Sequence, residues 1–227
     1  MHALIVLGHP EPRSFNAQLK DVARETLEGL GYSVEVSDLY AQGFDPLEGA
    51  RYYSDRANSG WFDAQAEQRH AHETGTTSAD VSAEIEKLDR ADLLILQYPM
   101  WWFTTPAILK GWLDRVMTYG GVYTSRMRYD AGRFRGHRAM LSVTTGGPEA
   151  TFAYNGRNGD IDLLLWPMHF TLHYLGYSVI PPFVAYGIEG GIRYSDPGAI
   201  PSRLQGYKDA LAMRLRGLEE TTPISFS

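Results

Sequence analysis

Five short apolar runs, each followed by a stretch of helical spacing or by loop and then helix, constrain this chain most. They are "ALIVL" (Ala3–Leu7), "YSVEVSDL" (Tyr32–Leu39), "DLLILQ" (Asp92–Gln97), "RAMLSV" (Arg138–Val143) and a strand inside "YSVIPPFVAY" (Tyr177–Tyr186). Continuous apolar runs of this length suit strands buried on both faces of a parallel sheet. After the first run, Phe15, Leu19, Val22, Ala23, Leu27 and Leu30 recur at helical spacing, and Gly31 suits the stop. Ser78 is placed to cap a helix with Val81, Ile85 and Leu88 on one face. Ala107–Met117, Ile161–Tyr174 and Ser202–Leu218 read as further helices, with Pro167 expected to kink the second or begin its second half. Residues 40 to 78 are irregular, with a short helix expected around Trp61–His72. Strands separated by helices imply an α/β, doubly wound parallel sheet with right-handed crossovers. No repeat or linker divides the 227 residues, so a single domain, 1–227, is expected.

Composition narrows the class. The chain has no cysteine, which excludes disulfides, iron–sulfur ligation and thiol catalysis and suits the cytoplasm. The opening "MHALIVLGHP" lacks the basic region of a secretory signal, and no apolar run approaches the ~20 residues of a membrane helix. A net charge of −6 argues against nucleic acid as a general partner.

In open sheets of this kind, ligands bind beyond the carboxyl ends of the strands. Three loops are singled out. In "GHPEPRSFN", Ser14 can cap the following helix, leaving first-turn N–H groups for an anion, with His9 and Arg13 adding to the site; an ordinary capped loop fits equally well. It is neither the G-x-G-x-x-G fingerprint nor a P-loop, which disfavours nucleoside triphosphate hydrolysis. In "YPMWWFTTP", Trp101, Trp102 and Phe103 stand in a row at the expected rim, where aromatics can stack on a planar ligand; a lone aromatic would more readily cover core. In "SVTTGGPEATFAYNGRNGD", Thr144, Thr145, Gly146 and Gly147 follow a buried strand and can present main-chain N–H groups; a tight turn is the bland alternative. A phosphate pocket, an aromatic platform and an N–H-lined wall together describe a flavodoxin-like arrangement for a flavin, with strand order 2-1-3-4-5.

The chain resembles the flavin-dependent NAD(P)H:quinone reductases of the DT-diaphorase type. The resemblance runs from Ala3 to about Leu215 and is carried by "ALIVLGHPEPRSFN", "SDLYAQGFDP", "ADLLILQYPMWWFTTPAILKGWLDRV", "YDAGRFRG", "SVTTGG" and "NGDIDLLLWP". It implies FAD (FMN as the alternative), NADH or NADPH as donor, a small quinone reduced by two electrons in a ping-pong cycle, and a homodimer with sites between subunits. By position it implies that His9, Ser14, Phe15 and Asn16 hold the diphosphate and ribityl region. Pro99, Met100, Trp101, Trp102 and Phe103 would hold the ring, Thr144, Thr145, Gly146 and Gly147 its pyrimidine edge, and Tyr123, Trp102 and Phe103 the substrate. The chain departs from the family at Phe152 and Asn158, where a tyrosine and a histidine are usual, and at Ser125, where a second substrate-side tyrosine is usual. The mammalian C-terminal extension has no counterpart. The catalytic expectation therefore falls on the N–H groups around Gly146 and Gly147, with Asn158 assisting and Phe152 unable to donate.

Other candidates are weaker. His169 and His173 are four apart on a helix, but no cysteine or carboxylate cluster completes a metal site, and no metal is expected. His70 and His72 suit a solvated surface, and Glu149 and Tyr154 are loop residues near the glycine wall. An azo- or nitro-reductase using the same flavin, and a non-catalytic flavin-binding regulatory or electron-carrier subunit, are the competing readings. The long segment Tyr40–Ser78, which could cover an adenylate half, adds to the preference for FAD.

Overall fold

A computed structural model describes residues 1–188 and 197–226. Five strands, β1 (His2–Leu7), β2 (Ser33–Asp38), β3 (Leu93–Pro99), β4 (Arg138–Thr144) and β5 (Ser178–Ala185), form one sheet of order β2-β1-β3-β4-β5. Every pairing is parallel. The order reverses between β1 and β3, as expected for a flavodoxin-like fold, and opens a crevice at the carboxyl ends of these strands.

The helices are α1 (Phe15–Gly29), α2 (Ala64–Thr74), α3 (Ala79–Arg90), α4 (Ala107–Val116), α5 (Ile161–Tyr174) and α6 (Ile200–Arg216). Strand alternation decides which face each side chain takes. Ala3, Ile5, Leu93, Ile95 and Met140 pack with Leu19, Ala23 and Leu27 of α1 and Leu211 and Leu215 of α6. Leu4, Val6, Leu94, Leu96 and Leu141 pack on the other side with Leu88 of α3, Trp112 of α4, and Leu165 and Leu172 of α5.

Some local expectations shift. Gly31, at φ 87°, follows the end of α1 as a glycine stop should. Ser78 does precede α3, yet its side chain makes no capping bond and accepts from Arg115 Nη2 at 3.4 Å instead. The short helix begins at Ala64, where the Asp63 side chain caps it, rather than at Trp61. α5 is continuous through Pro167, so no second half begins there. Its carbonyl still accepts from Thr171 Oγ1 at 2.8 Å. Among the described residues no helix is long and apolar enough to cross a membrane.

Candidate active site

The loop after β1 brings the expected residues together at one cavity, with one subtraction. Ser14 Oγ accepts from Ala17 N–H at 3.1 Å, so Ser14 caps α1, while the N–H groups of Phe15 and Asn16 donate to nothing among the described residues. They face a cavity of about 810 Å3, which His9, Ser14, Phe15 and Asn16 line. This is the helix-terminus arrangement that holds phosphate oxygens. His9 Nδ1 accepts from Glu11 N–H at 3.0 Å, which leaves Nε2–H as the donor of the neutral ring. Partial burial holds His9 below the usual histidine range, and Glu11 only partly offsets this. Arg13 is the subtraction. Its Nε donates to Glu11 Oε1 at 3.0 Å on the open surface, so its charge is already answered.

The loop after β3 is a two-residue turn closed on both sides. Trp101 N–H donates to Thr104 O and Thr104 N–H to Trp101 O, each at 3.1 Å. The two residues between, Trp102 at φ 51° and Phe103 at φ 62°, are both left-handed. Such turns usually carry Asn-Gly, because a bulky side chain there is strained by about 1–3 kcal/mol. At the tip of this turn Trp102 stands clear of the protein: it is 92% exposed. Main-chain N–H groups of Trp102 and Phe103 are also unpaired among the described residues. Pro99, Met100 and Trp101 line the cavity, and Met100 N–H donates to Thr144 O at 2.8 Å, tying this loop to the next.

After β4, Thr144, Thr145 and Gly146 complete the cavity wall. Gly146 and Gly147 donate their N–H groups to nothing among the described residues. A Cβ on Gly147 would lie 2.4 Å from Asn158 Nδ2 and 3.1 Å from the Phe152 ring, so any larger residue would have to displace the Asn158 side chain. Phe152 and Asn158 thus stand beside this wall, as their positions implied. Asn158, however, is engaged: Nδ2 donates to Thr151 Oγ1 at 2.7 Å and its N–H to Thr151 O at 3.0 Å, closing the 151–158 loop. Phe152 leans on Tyr186, ring centroids 5.6 Å apart.

Three of the expected side chains sit away from the cavity space. Asn16 does not turn its amide to the cavity; it is buried, donating to Thr144 Oγ1 at 2.9 Å and accepting from Gln97 Nε2 at 2.8 Å. Phe15 is core on its ring side and offers the site mainly its backbone. Tyr123 is not in this cavity. It lines a second one, of about 780 Å3, with Tyr98, Thr104, Thr105, Met168 and Tyr174. The 101–104 turn stands between the two cavities, and Trp102 and Phe103 line neither.

The sequence reading missed the far wall of the first cavity: Ile188 beyond β5, and Ile200, Pro201, Arg203 and Leu204 at the start of α6. Ile188 also follows a strand end, so the rule that singled out three loops would have found a fourth. α6 starts at Ile200 rather than Ser202 because Pro201 sits in its first turn, where a missing N–H costs nothing. The histidine pair His169 and His173 is separated by environment. His169 is buried and His173 stacks on Phe226 at 4.3 Å. Among the described residues no three metal-capable side chains gather.

A parallel sheet in this order, with an anion-binding helix start, a strained aromatic turn and a glycine wall around one crevice, defines a flavodoxin-like protein. The model of a family described as having a flavodoxin-like fold matches residues 1–211. NAD(P)H dehydrogenase (quinone) 1 of Cavia porcellus is 40% identical over 99% of this chain and 80% of its own length. Ribosyldihydronicotinamide dehydrogenase (quinone) of Pongo abelii is 42% identical over 82% of this chain and 81% of its own. A crystal structure of a candidate quinone reductase from Klebsiella pneumoniae superposes with a TM-score of 0.89 at 39% identity, covering 100% of this chain and 88% of that one. The chain belongs to the flavodoxin-like NAD(P)H:quinone dehydrogenase family.

Proposed function

We propose that this protein is a flavin-dependent NAD(P)H:quinone oxidoreductase that binds FAD in the His9–Gly147 crevice and works as a homodimer by a ping-pong cycle. One observation carries the cofactor reading. Among the described residues the N–H groups of Phe15, Asn16 and Gly146 are unpaired on residues that line one cavity, and those of Trp102, Phe103 and Gly147 are unpaired on the adjoining turn and loop. No described residue uses those donors, and a diphosphate at one end with a flat, polar-edged ring at the other would use the ones at the cavity. FAD is preferred to FMN on the family likeness, and the lining of the 810 Å3 cavity by Ile200, Pro201, Arg203 and Leu204 at the start of α6 supports a ligand larger than the ring alone.

When bound, the flavin supplies the two-electron chemistry: NAD(P)H, a proton and a quinone become NAD(P)+ and a hydroquinone. The chain's own residues bind, orient and exclude. The N–H groups of Phe15 and Asn16, with neutral His9 Nε2–H, would hold phosphate oxygens. Those of Gly146 and Gly147 would face the negative charge that grows on the pyrimidine edge as electrons arrive. Phe152 offers no hydroxyl, and Asn158 has committed one N–H to Thr151, so the backbone bears most of this stabilisation. A location in the cytoplasm is part of the same proposal, and the absence of cysteine suits it.

The test is the visible spectrum of the purified protein, with mass spectrometry of the released cofactor and turnover assays lacking any partner protein. FAD together with steady NADH or NADPH consumption by a soluble quinone is the expected result. A colourless protein that neither flavin reconstitutes would overturn the reading, and FMN alone would overturn the FAD preference. Turnover with azo or nitro acceptors but not quinones would move the protein to those reductases. Bound flavin without turnover would mark a carrier or regulatory subunit.

A further inference from the structure

The second cavity, of about 780 Å3, lies on the α4–α5 side of the sheet. Side chains alternate along β3: Gln97 turns to Asn16 and the crevice side, while Leu94, Leu96 and Tyr98 pack on the opposite face. The volume falls among those of small-molecule sites, about 300–1,000 Å3. Leu113, Met117, Leu165 and Met168 supply apolar walls. Tyr98 lines the cavity and is only 1% exposed, yet its hydroxyl bonds to no described residue and is not among the polar atoms that the protein occludes. That hydroxyl therefore opens onto the cavity with no partner of its own.

Tyr123 adds a second hydroxyl. Tyr119 and Tyr174 hold its ring by edge contacts, with centroids 5.3 and 5.7 Å away, and Gln65 Nε2 donates to its oxygen at 3.0 Å. One acceptor position is thus filled, and the Tyr123 proton has no described acceptor. Burial raises the pKa of both phenols, so each keeps its proton and can donate. The charged groups at the cavity are already answered. Lys110 donates to Asp114 at 2.5 Å, and Glu48 accepts from Gln68 Nε2 at 3.1 Å and from the Tyr53 hydroxyl at 3.2 Å. A phosphate-bearing ligand would find no free cation among these lining residues, whereas a neutral one would leave every ion pair intact.

We propose that this cavity is a binding site, complete within one chain, for a neutral aromatic carbonyl compound of the quinone class, and that Tyr98 selects it by donating to a carbonyl oxygen. The ligand class rests on the quinone reading above; the site rests on the cavity and requires no flavin. The apolar walls hold the flat body of such a molecule. Its oxygen gives the Tyr98 hydroxyl the partner it lacks, while an aromatic hydrocarbon of the same shape leaves that hydroxyl desolvated and unpaired. Tyr98 is a specificity-determining residue in this arrangement.

Calorimetric titration of flavin-free protein with 1,4-naphthoquinone and with naphthalene tests this, and no cysteine is present to add to the quinone. Tyr98→Phe removes one oxygen and keeps the ring. It should raise the Kd of naphthoquinone about fivefold and leave that of naphthalene within about twofold. Leu164→Trp, a larger side chain in the cavity wall, should weaken both by tenfold or more. Loading the crevice with FAD should leave the naphthoquinone Kd within about twofold, and in turnover Tyr98→Phe should raise the quinone KM without raising that of NADH or NADPH. An unchanged naphthoquinone Kd in Tyr98→Phe, an equal loss for naphthalene, full binding in Leu164→Trp, or displacement of the quinone by FAD would each overturn the proposal. A wild type that takes up neither flavin but shows the Tyr98-dependent binding would overturn the oxidoreductase reading and leave this site standing.

Discussion

At Trp102 and Phe103 the backbone adopts the left-handed conformation that L residues avoid, offset within the described residues by the two hydrogen bonds that close the turn. With Trp102 92% exposed, replacing it by glycine removes little packing and relieves left-handed strain of about 1–2 kcal/mol, partly offset by glycine's larger unfolded entropy. Trp102→Gly should raise the melting temperature of flavin-free protein by about 2–4 °C per kcal/mol gained. The same change should weaken flavin binding, since a stacking surface contributes about 0.5–1.5 kcal/mol beyond burial. Lower apo stability with unaltered flavin affinity would make this an ordinary loop. His169 supplies a pH signature instead. Burial pushes its pKa down to about 4, and its Nε2 has no partner. Below the ordinary histidine value of about 6.5 the unfolded chain takes up a proton that the folded chain refuses until about pH 4. Stability should therefore fall as pH drops through that window, by roughly 2 kcal/mol at pH 5. His9, also lowered, adds in the same sense. Urea unfolding of His169→Leu at pH 7 and 5 should show a shallower loss than the wild type; parallel losses would assign the slope elsewhere.

Among the elements, the strands were legible because each is a run of apolar residues, and all five stand within a residue or two of expectation. Cap chemistry read equally well at Ser14, where the hydroxyl has no competitor, and failed at Ser78, where buried Arg115 draws it away. Segment 40–78 was illegible for a physical reason: its order comes from contacts remote in sequence. Arg115, only 2% exposed, donates to Asp45 O at 2.9 Å and lies over the Tyr52 ring at 3.6 Å, and its partner carboxylate is Asp80 at 2.6 Å. Buried Glu67 accepts from Arg56 and from the Ala57 N–H, both at 2.8 Å, which pins the neighbouring loop. Gly111 of α4 meets Pro46 so closely that a Cβ would lie 2.1 Å from its carbonyl oxygen. In an exposed helix, glycine to alanine gains about 1 kcal/mol. Here Gly111→Ala should instead cost about 1–3 kcal/mol through overpacking and lift the 44–48 turn from α4. Chemical denaturation, with limited proteolysis across residues 44 to 62, measures both effects. A stabilised, equally resistant variant would show that the turn yields freely.

At the level of the whole molecule, α5 poses the remaining question. Apolar residues surround it: Leu165, Met168 and Leu172 face the core, while Leu163, Trp166 and Phe170 are 62%, 44% and 42% exposed. A helix apolar on every side belongs in an interior, and an exposed apolar patch of this kind marks an interaction surface. The same helix lines the cavity that holds Tyr123, through Leu164, Met168 and Tyr174. The sequence pointed to Tyr123 for the substrate, yet one chain keeps it apart from the crevice of Gly146. The proposed second copy, if seated on α5, would resolve both facts, by covering the stripe and by bringing its own crevice rim to the Tyr123 cavity. Such a contribution would be invisible in one chain's sequence pattern, which reports only which residues are apolar and not what covers them. Sedimentation velocity should give a dimer for the wild type and a monomer for Leu163→Glu/Trp166→Glu. The monomer should still take up flavin, because its crevice residues lie within one chain, and should lose most quinone turnover. A wild type that sediments as a monomer at assay concentration would remove the dimer. A monomeric variant with full turnover would show that Tyr123 and its cavity take no part in catalysis.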